Sequence, residues 1–267
     1  MTEQGDLERA PLDPARLEAA LAGRWSRVSV VAETESTNAD LLDDPTAPDR
    51  SVLVAEHQHA GRGRLDRAWI SPPRAGLTLS VLLRPEVPIA VWGWLPLLAG
   101  VALYEAVAAR AGVPVALKWP NDLLAGDPPR KSAGILAQTS GDAVVIGIGM
   151  NVSTRADELP VDTATSLSLC GAGDLDRTEL LAAILTRLDV RYREWSDAGG
   201  DAEASGVAPA YRAACATVGQ LVSVTSMDGQ LLRGVAIGID SIGRLRLTVD
   251  GTQRVVGAGD VQHLRPA

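Results

Sequence analysis

Four short segments of this chain gather groups able to work on charged substrates. The first is Ala60-Gly61-Arg62-Gly63-Arg64-Leu65-Asp66-Arg67, which follows an apolar run and sets three arginines and two glycines on one loop. Glycines let backbone amides come close to a ligand, and guanidinium forks grip phosphate or carboxylate, so the loop reads as an anion-binding surface. It lacks the Gly-Lys-Ser/Thr of a Walker loop, and it does not open a long helix as a dinucleotide fingerprint does. Taken alone, a solvated arginine loop explains it equally well. Trp69, just beyond, adds an aromatic face.

The second segment, Lys118-Trp119-Pro120-Asn121-Asp122, packs an ammonium, an amide and a carboxylate into five residues. That set suits a polyphosphate with Mg²⁺, and it also suits an ordinary Asn-Asp turn after a strand. The third, Lys131-Ser132-Ala133-Gly134-Ile135-Leu136, places a cation at the mouth of a strand, with Gly134 allowing close backbone approach. The fourth, Gly147-Ile148-Gly149-Met150-Asn151-Val152, ends an apolar run with an amide suited to a base edge; a buried strand with glycine bulges explains it almost as well. Ala164-Thr165-Ser166-Leu167 reads by itself as a turn. Lysine usage adds weight to the second and third segments. Of 25 basic residues only Lys118 and Lys131 are lysine. The chain uses arginine for generic positive charge, and a compact ammonium serves where a planar fork does not fit.

The elements that must position these groups follow from periodicity and end signals. Residues 12–22 read as a short amphipathic helix with Asp13 near its start, and 28–32 as a strand. Ser36 or Thr37 can cap a helix over 38–43. Strands are expected at 51–56, 77–83, 114–119, 131–138 and 143–152, with a long buried helix over 90–111. The clearest helix spans 176–197, with Asp176 as cap and Glu179 completing a capping box; another covers 207–215. From residue 218 the texture changes to five short alternating strands, with turns at Asp228-Gly229 and Ile242-Gly243. The pattern is α+β with a β tail.

Bulk properties narrow the classes. A chain of 267 residues with 46% apolar content buries a substantial core. No run approaches the roughly 18–20 uninterrupted apolar residues of a membrane span, and the charged N-terminus has no signal-peptide core, so a cytoplasmic protein is expected. Cys170 and Cys215 are isolated and expected to be reduced thiols. With His57, His59 and His263 the only histidines, no zinc site is expected. A net charge of −8 argues against a dedicated nucleic-acid binder.

The order of the motifs says more than any one of them. Ser36-Thr37-Asn38, AEHQHAGRGR at 55–64, KWPND at 118–122, KSAGIL at 131–136, GIGMNV at 147–152 and ATSL at 164–167 together resemble the biotin–protein ligase (holocarboxylase synthetase) family. The resemblance is detailed over about 28–170, and the tail from about 218 resembles the SH3-like domain that follows in that family. It implies a mixed-sheet catalytic domain of the biotin/lipoate ligase type, class II synthetase-like, over 1–216, then a small SH3-like β-barrel over 217–267. It implies ATP, Mg²⁺ and biotin as reactants, a biotinyl-5′-AMP intermediate, and a lysine of a biotin carboxyl carrier domain as acceptor. A monomer or homodimer, with no DNA and no membrane partner, is expected.

The resemblance also implies roles. Ser36, Thr37, Asn38 and Gln58 match the positions that hold biotin, joined by Gly61, Arg62, Gly63, Arg64, Lys131 and Gly134. Arg62, Arg64, Arg67, Trp69, Lys118, Asn121, Lys131, Asn151, Thr165 and Ser166 match the nucleotide side. Lys131, Arg64 and Asp122 match the catalytic groups, with Asp122 toward Mg²⁺. The sequence departs from the pattern at Asp66, where a further loop glycine is usual, and at Ser132, usually apolar. About 25 residues precede the first strand, so no N-terminal winged-helix domain is expected. A lipoate–protein ligase or octanoyl transferase shares the fold but needs no cup for a ureido ring. A non-catalytic binding module is the remaining alternative. The loop 61–69, poor in apolar anchors, is expected to be mobile until a ligand supplies counter-charge.

Overall fold

The structure is a computed structural model that describes residues 9–226, 229–257 and 259–264. Asp13 accepts from Arg16 N and opens helix α1 (Pro14–Leu21), whose Leu17 and Leu21 are buried. Strand β1 (Arg27–Thr34) leads into the short helix α2 (Thr37–Leu42), with Ser36 as its N-cap. Then come β2 (Ser51–Gln58) and β3 (Gly76–Leu83), a 3₁₀ turn at Ile89–Trp94, and helix α3 (Leu95–Arg110). Strands β4 (Val115–Lys118), β5 (Asp122–Ala125), β6 (Arg130–Ser140) and β7 (Ala143–Asn151) follow. Helices α4 (Arg177–Asp197) and α5 (Val207–Ala214) complete this part.

The seven strands form one mixed sheet in the order β1-β2-β3-β7-β6-β5-β4. Only β1 and β2 run parallel, joined through α2; the other pairs are antiparallel. Alternation along β3 and β7 divides the sheet's faces. Leu77, Leu79, Val81, Val144, Ile146 and Ile148 join the core, while Thr78, Gly147, Gly149 and Asn151 border a cavity. Helix α3 belongs to that core. It is apolar and, with its leading turn, long enough to cross a membrane by length and composition. Leu97, Leu98, Leu103 and Val107 are nonetheless buried in the core cluster, and its principal helical neighbour is α4.

Two local expectations differ. Asn121-Asp122 is not merely a turn, because Asp122 starts β5, whose Leu123 and Leu124 are buried between β4 and β6. Four residues with one polar start carry too little periodicity to announce themselves. Asp176 caps α4 by accepting from both Thr178 N and Glu179 N, but Glu179 completes no capping box. Its carboxylate pairs with Arg16 at 3.1 Å and Arg110 at 3.3 Å, partners that only the tertiary fold brings near.

The tail forms a second, five-stranded antiparallel sheet of β8 (Leu221–Ser226), β9 (Leu231–Ile239), β10 (Leu245–Val249), β11 (Thr252–Val256) and β12 (Gly259–His263). Their order is β11-β10-β9-β8-β12. The expected turn at Asp228-Gly229 lies outside the described residues, since Asp228 is not among them. The turn at Ile242-Gly243 is present, with Gly243 at φ 88°, and it docks on the residues just before α3 and just after β4. Trp94 Nε1 donates to Ser241 O at 3.0 Å and Trp119 Nε1 to Gly243 O at 3.2 Å. Thr217 Oγ1 accepts from Trp119 N at 3.1 Å.

Trp119 therefore ties the two sheets together. It is 1% exposed, and its indole N–H donates across the junction to Gly243 O. Trp119→Ala should cost roughly 3–5 kcal/mol of unfolding free energy, the scale of a large-to-small change in a packed core. Urea unfolding of the variant measures it, and a loss below about 1 kcal/mol would contradict the tie.

Candidate active site

A cavity of about 500 Å³ opens on the α2 side of the large sheet. Its floor is a row of residues paired across four strands. Asp122 on β5 faces Gly134 on β6, Gly134 faces Gly149 on β7, and Gly149 faces Thr78 on β3. Two adjacent positions without side chains leave bare backbone between a carboxylate and a hydroxyl. The indole of Trp69 lies on this strip. A Cβ at Gly149 would overlap its ring, and one at Gly134 would touch it at 3.4 Å. Trp69 Nε1 is buried there without a hydrogen-bond partner among the described residues.

One end of the cavity is neutral and polar. Gln58 Oε1 accepts from Thr37 N at 2.9 Å and Thr37 Oγ1 at 3.3 Å, leaving its Nε2 free among the described residues. Asn38 Oδ1 accepts from Ser80 Oγ, and Asn38 Nδ2 donates to Gln138 Oε1 at 2.7 Å. Gly147 makes room for this carboxamide, because a Cβ there would overlap Asn38 Oδ1. Ser36 uses its Oγ as cap acceptor for Ala39 N at 3.4 Å, so its hydroxyl proton remains available.

The other end is cationic. Lys131 Nζ lies 2.6 Å from Asp122 Oδ1, an oxygen that otherwise has no hydrogen-bond partner among the described residues. Strand alternation alone would put Lys131 and Gly134 on opposite faces, since they are three residues apart. A bulge reverses this. Leu123 pairs with Ala133 while Leu124 pairs with Lys131, so Ser132 is the extra residue, and the bulge turns the ammonium onto the cavity face. The hydroxyl of Ser132, fully buried, donates to Asn151 O at 3.4 Å. The backbone of Lys131 is pinned from both sides, its N–H donating to Thr163 O and its carbonyl accepting from Thr165 N.

The arginine loop closes the cavity as a small hairpin. Trp69 N donates to Gly61 O at 2.8 Å, Gly63 N to Arg67 O at 2.6 Å, and Arg62 bridges Ala68. Arg64 reaches Asn121 Oδ1 at 3.5 Å, and burial pushes its pKa below the usual guanidinium value. Arg67 donates to Asp260 Oδ2 of β12 at 2.7 Å. That contact raises the Arg67 pKa and is the largest cause holding the Asp260 carboxyl below the ordinary range. Arg62, Arg64, Arg67 and Lys131 thus line one cavity in which, among the described side chains, Asp122 and Asp260 are the carboxylates. The Asp66 side chain lies outside the described part of the structure.

Residues 28–151 match the model of the Biotin/lipoate A/B protein ligase family, and 217–264 match the Biotin protein ligase C terminal domain. The chain is 44% identical to the biotin–[acetyl-CoA-carboxylase] ligase of Mycobacterium tuberculosis, over 99% of this chain and 100% of that one. The chain belongs to the biotin protein ligase family. It is also 33% identical to the bifunctional ligase/repressor BirA of Escherichia coli, over 88% of this chain and 73% of that one. Among solved structures, the biotin protein ligase of Aquifex aeolicus in complex with biotin and ATP superposes with a TM-score of 0.77. Its identity is 27%, over 91% of this chain and 100% of that one.

Most residues that the family resemblance singles out converge on the cavity: Ser36, Thr37, Asn38, Gln58, Arg62, Gly63, Arg64, Arg67, Trp69, Asn121, Asp122, Lys131, Gly134 and Asn151 all line it. Gly61, Lys118, Thr165 and Ser166 do not. Gly61 is buried where a Cβ would overlap the Gln58 amide. Lys118 stands opposite Asp122 in the β4–β5 ladder, at the end of the floor row, and its charge acts on Asp260 and His263. Thr165 borders a neighbouring groove, and Ser166 is fully buried, donating to Thr154 O at 2.7 Å. Sequence reasoning missed Ser80, Gln138 and Asp260. A serine inside the apolar run of β3 was a legible signal for the first; a surface-like glutamine and a tail aspartate carried none.

Two outcomes follow for this ligase-family site. Gly149→Ala should displace the Trp69 ring and speed amide exchange across 61–69, with global stability changed by less than about 3 kcal/mol. Unaltered exchange would mean that the ring is not seated on the floor. Asp260→Asn should likewise free Arg67 and loosen the loop, although an exposed pair is worth under about 1 kcal/mol. Because the carboxyl's pKa is lowered in the fold, the contact holds above the ordinary carboxylate value near 4 and is lost as pH falls below it. Exchange in 61–69 that is insensitive both to this substitution and to acidification would contradict it.

Proposed function

We propose that the chain activates biotin with ATP as biotinyl-5′-AMP and passes the biotinyl group to a lysine of the biotin carboxyl carrier domain of a carboxylase. The observation that supports this most is one cavity with a neutral polar cup at one end, four cations at the other, and a glycine floor bearing the Trp69 ring between. A ureido ring has one strong acceptor and two donors, and a buried cup must satisfy all three. Ser36, Thr37, Asn38 and Gln58 provide hydroxyl and amide groups of both kinds there. Asn38 is already oriented through Ser80 and Gln138.

In the first step a carboxylate oxygen of biotin attacks the α-phosphorus of ATP, and the bond to the bridging oxygen breaks to release pyrophosphate. Like charges meet, so the step needs positive charge placed in advance where new charge develops. Lys131 serves both the carboxylate and the α-phosphate, with Arg62 and Arg64 closing from the loop. Arg67 serves the phosphates once it leaves Asp260. Asn151 Oδ1 is buried without a partner, and the exocyclic amine of adenine is a donor that would satisfy it. In the second step the carrier's lysine amine attacks the acyl carbonyl and AMP leaves. The loop excludes water from the mixed anhydride meanwhile.

The residues present fit Mg²⁺. Asp122 Oδ1 is a buried carboxylate oxygen held only by the Lys131 ammonium, with the Asn121 carboxamide next in sequence. Mg²⁺ is commonly bound by one or two carboxylates plus substrate phosphates; Asp122 with Asn121 would hold it, and it would neutralise phosphate charge. Both cysteines are free, which accords with a reaction in the cytoplasm.

Incubated with ATP, Mg²⁺ and a carrier domain, the chain should add one biotinyl group, seen as a mass shift. A shift with lipoate but not with biotin would overturn the substrate assignment. Lys131→Arg should lose about 2–4 kcal/mol of transition-state stabilisation, because a planar fork does not fit where an ammonium sits against the glycine floor. Single-turnover pyrophosphate release reads this, and near-normal release would refute the role.

A further inference from the structure

On the far side of β2 from the cavity lies a cluster of metal-ligating side chains that the ligase reaction does not use. Glu33 on β1 stands opposite His57 on β2 in the parallel ladder, and His59 follows two residues later. Paired residues in a ladder, and residues two apart along a strand, share one face of the sheet. The three side chains therefore leave β1 and β2 together, while Gln58 between the histidines turns the other way into the cavity. One ligand atom from each of the three lies within 4.8 Å of the others. His59 Nε2 is 3.2 Å from Glu33 Oε2, and the two imidazoles meet edge to face with centroids 4.4 Å apart.

We propose that Glu33, His57 and His59 form a binding site for a divalent transition metal of the Zn²⁺ class, with water completing its coordination. Two imidazoles and one carboxylate select zinc, nickel or copper over Mg²⁺ and Ca²⁺, which take all-oxygen shells. Tetrahedral ligation with bonds of about 2.0–2.1 Å sets ligand atoms roughly 3.4 Å apart. The present spacing is within 4.8 Å, and Glu33 and His59 are exposed and so free to rotate, while half-buried His57 anchors the set. The small number of histidines and cysteines argues against zinc only while they are counted along the chain. A His-X-His pair on one strand with a carboxylate across the ladder needs no cysteine and no further histidine.

The location gives the site a consequence. β1 is the edge strand of the large sheet. At the point where β2 passes into the arginine loop, the ladder continues through His59 N to Thr34 O and Ala60 N to Glu35 O. A metal bridging Glu33 to His57 and His59 clamps the root of that loop and the strand that carries Gln58. Because the metal binds the folded site, its occupancy adds stability by mass action.

The chain has three histidines, so its imidazole NMR signals resolve the question directly. His263 is the internal control, because its Nε2 lies 3.0 Å from Thr217 Oγ1 on the tail. With any affinity tag removed, equimolar ZnCl₂ should shift the His57 and His59 signals and spare His263, while millimolar MgCl₂ shifts neither. His59→Ala and Glu33→Gln, both at exposed positions, should each weaken Zn²⁺ binding at least about tenfold by dye competition, a change of about 1.4 kcal/mol. Unmoved His57 and His59 signals at equimolar Zn²⁺ would overturn the proposal. So would full affinity in a His57→Ala/His59→Ala variant, which would place the metal on the cysteines or His263.

Discussion

The floor of the cavity is backbone without side chains, and the placement of the other groups depends on it. Gly134 and Gly149 are neighbours in the β6–β7 ladder, flanked by Asp122 and Thr78. Gly147, two residues before Gly149, admits the Asn38 carboxamide, and Gly149 admits Trp69. A methyl at any of these positions meets a packed neighbour. Close packing tolerates little such intrusion, so a group above the floor would shift or the strand would deform. The strip thus sets how near the Trp69 ring, the Asn38 carboxamide and the Lys131 ammonium lie to the sheet.

Charge is the second constraint, and geometry controls it. Four cations share a cavity with two carboxylates, and each carboxylate already holds one cation: Asp122 holds Lys131, and Asp260 holds Arg67. Without such partners the free site would concentrate like charge in partly desolvated surroundings. The pairing keeps the cations near the cavity, and a polyanion that takes them over replaces one counter-ion with another. Asp260 comes from the tail's last strand, so the small sheet takes part in the site beyond its anchoring through Trp94 and Trp119.

Much of this was legible in the sequence because it is local. The caps at Asp13 and Asp176, the alternating strands of the tail and the order of the Gly-Arg, Lys-Trp and Lys-Ser segments all rest on spacing that a chain displays without folding. What escaped was non-local. The Ser132 bulge shows only in the pairing of β5 with β6, yet it decides which way Lys131 points. Glu179 looked like half of a capping box until Arg16 and Arg110 arrived from other helices. Glu33 and His57 are 24 positions apart and become neighbours only through the parallel β1–β2 ladder.

The central claim is that Lys131, aimed by the bulge across the glycine floor, is the cation shared by the acid and the phosphate. A crystal structure of the chain with biotinyl-5′-AMP tests it most directly, through the position of one atom. The account predicts that Lys131 Nζ leaves Asp122 and lies about 3 Å from both a phosphoryl oxygen and the acyl oxygen. Lys131 still paired with Asp122, and the adenylate held elsewhere in the cavity, would contradict it.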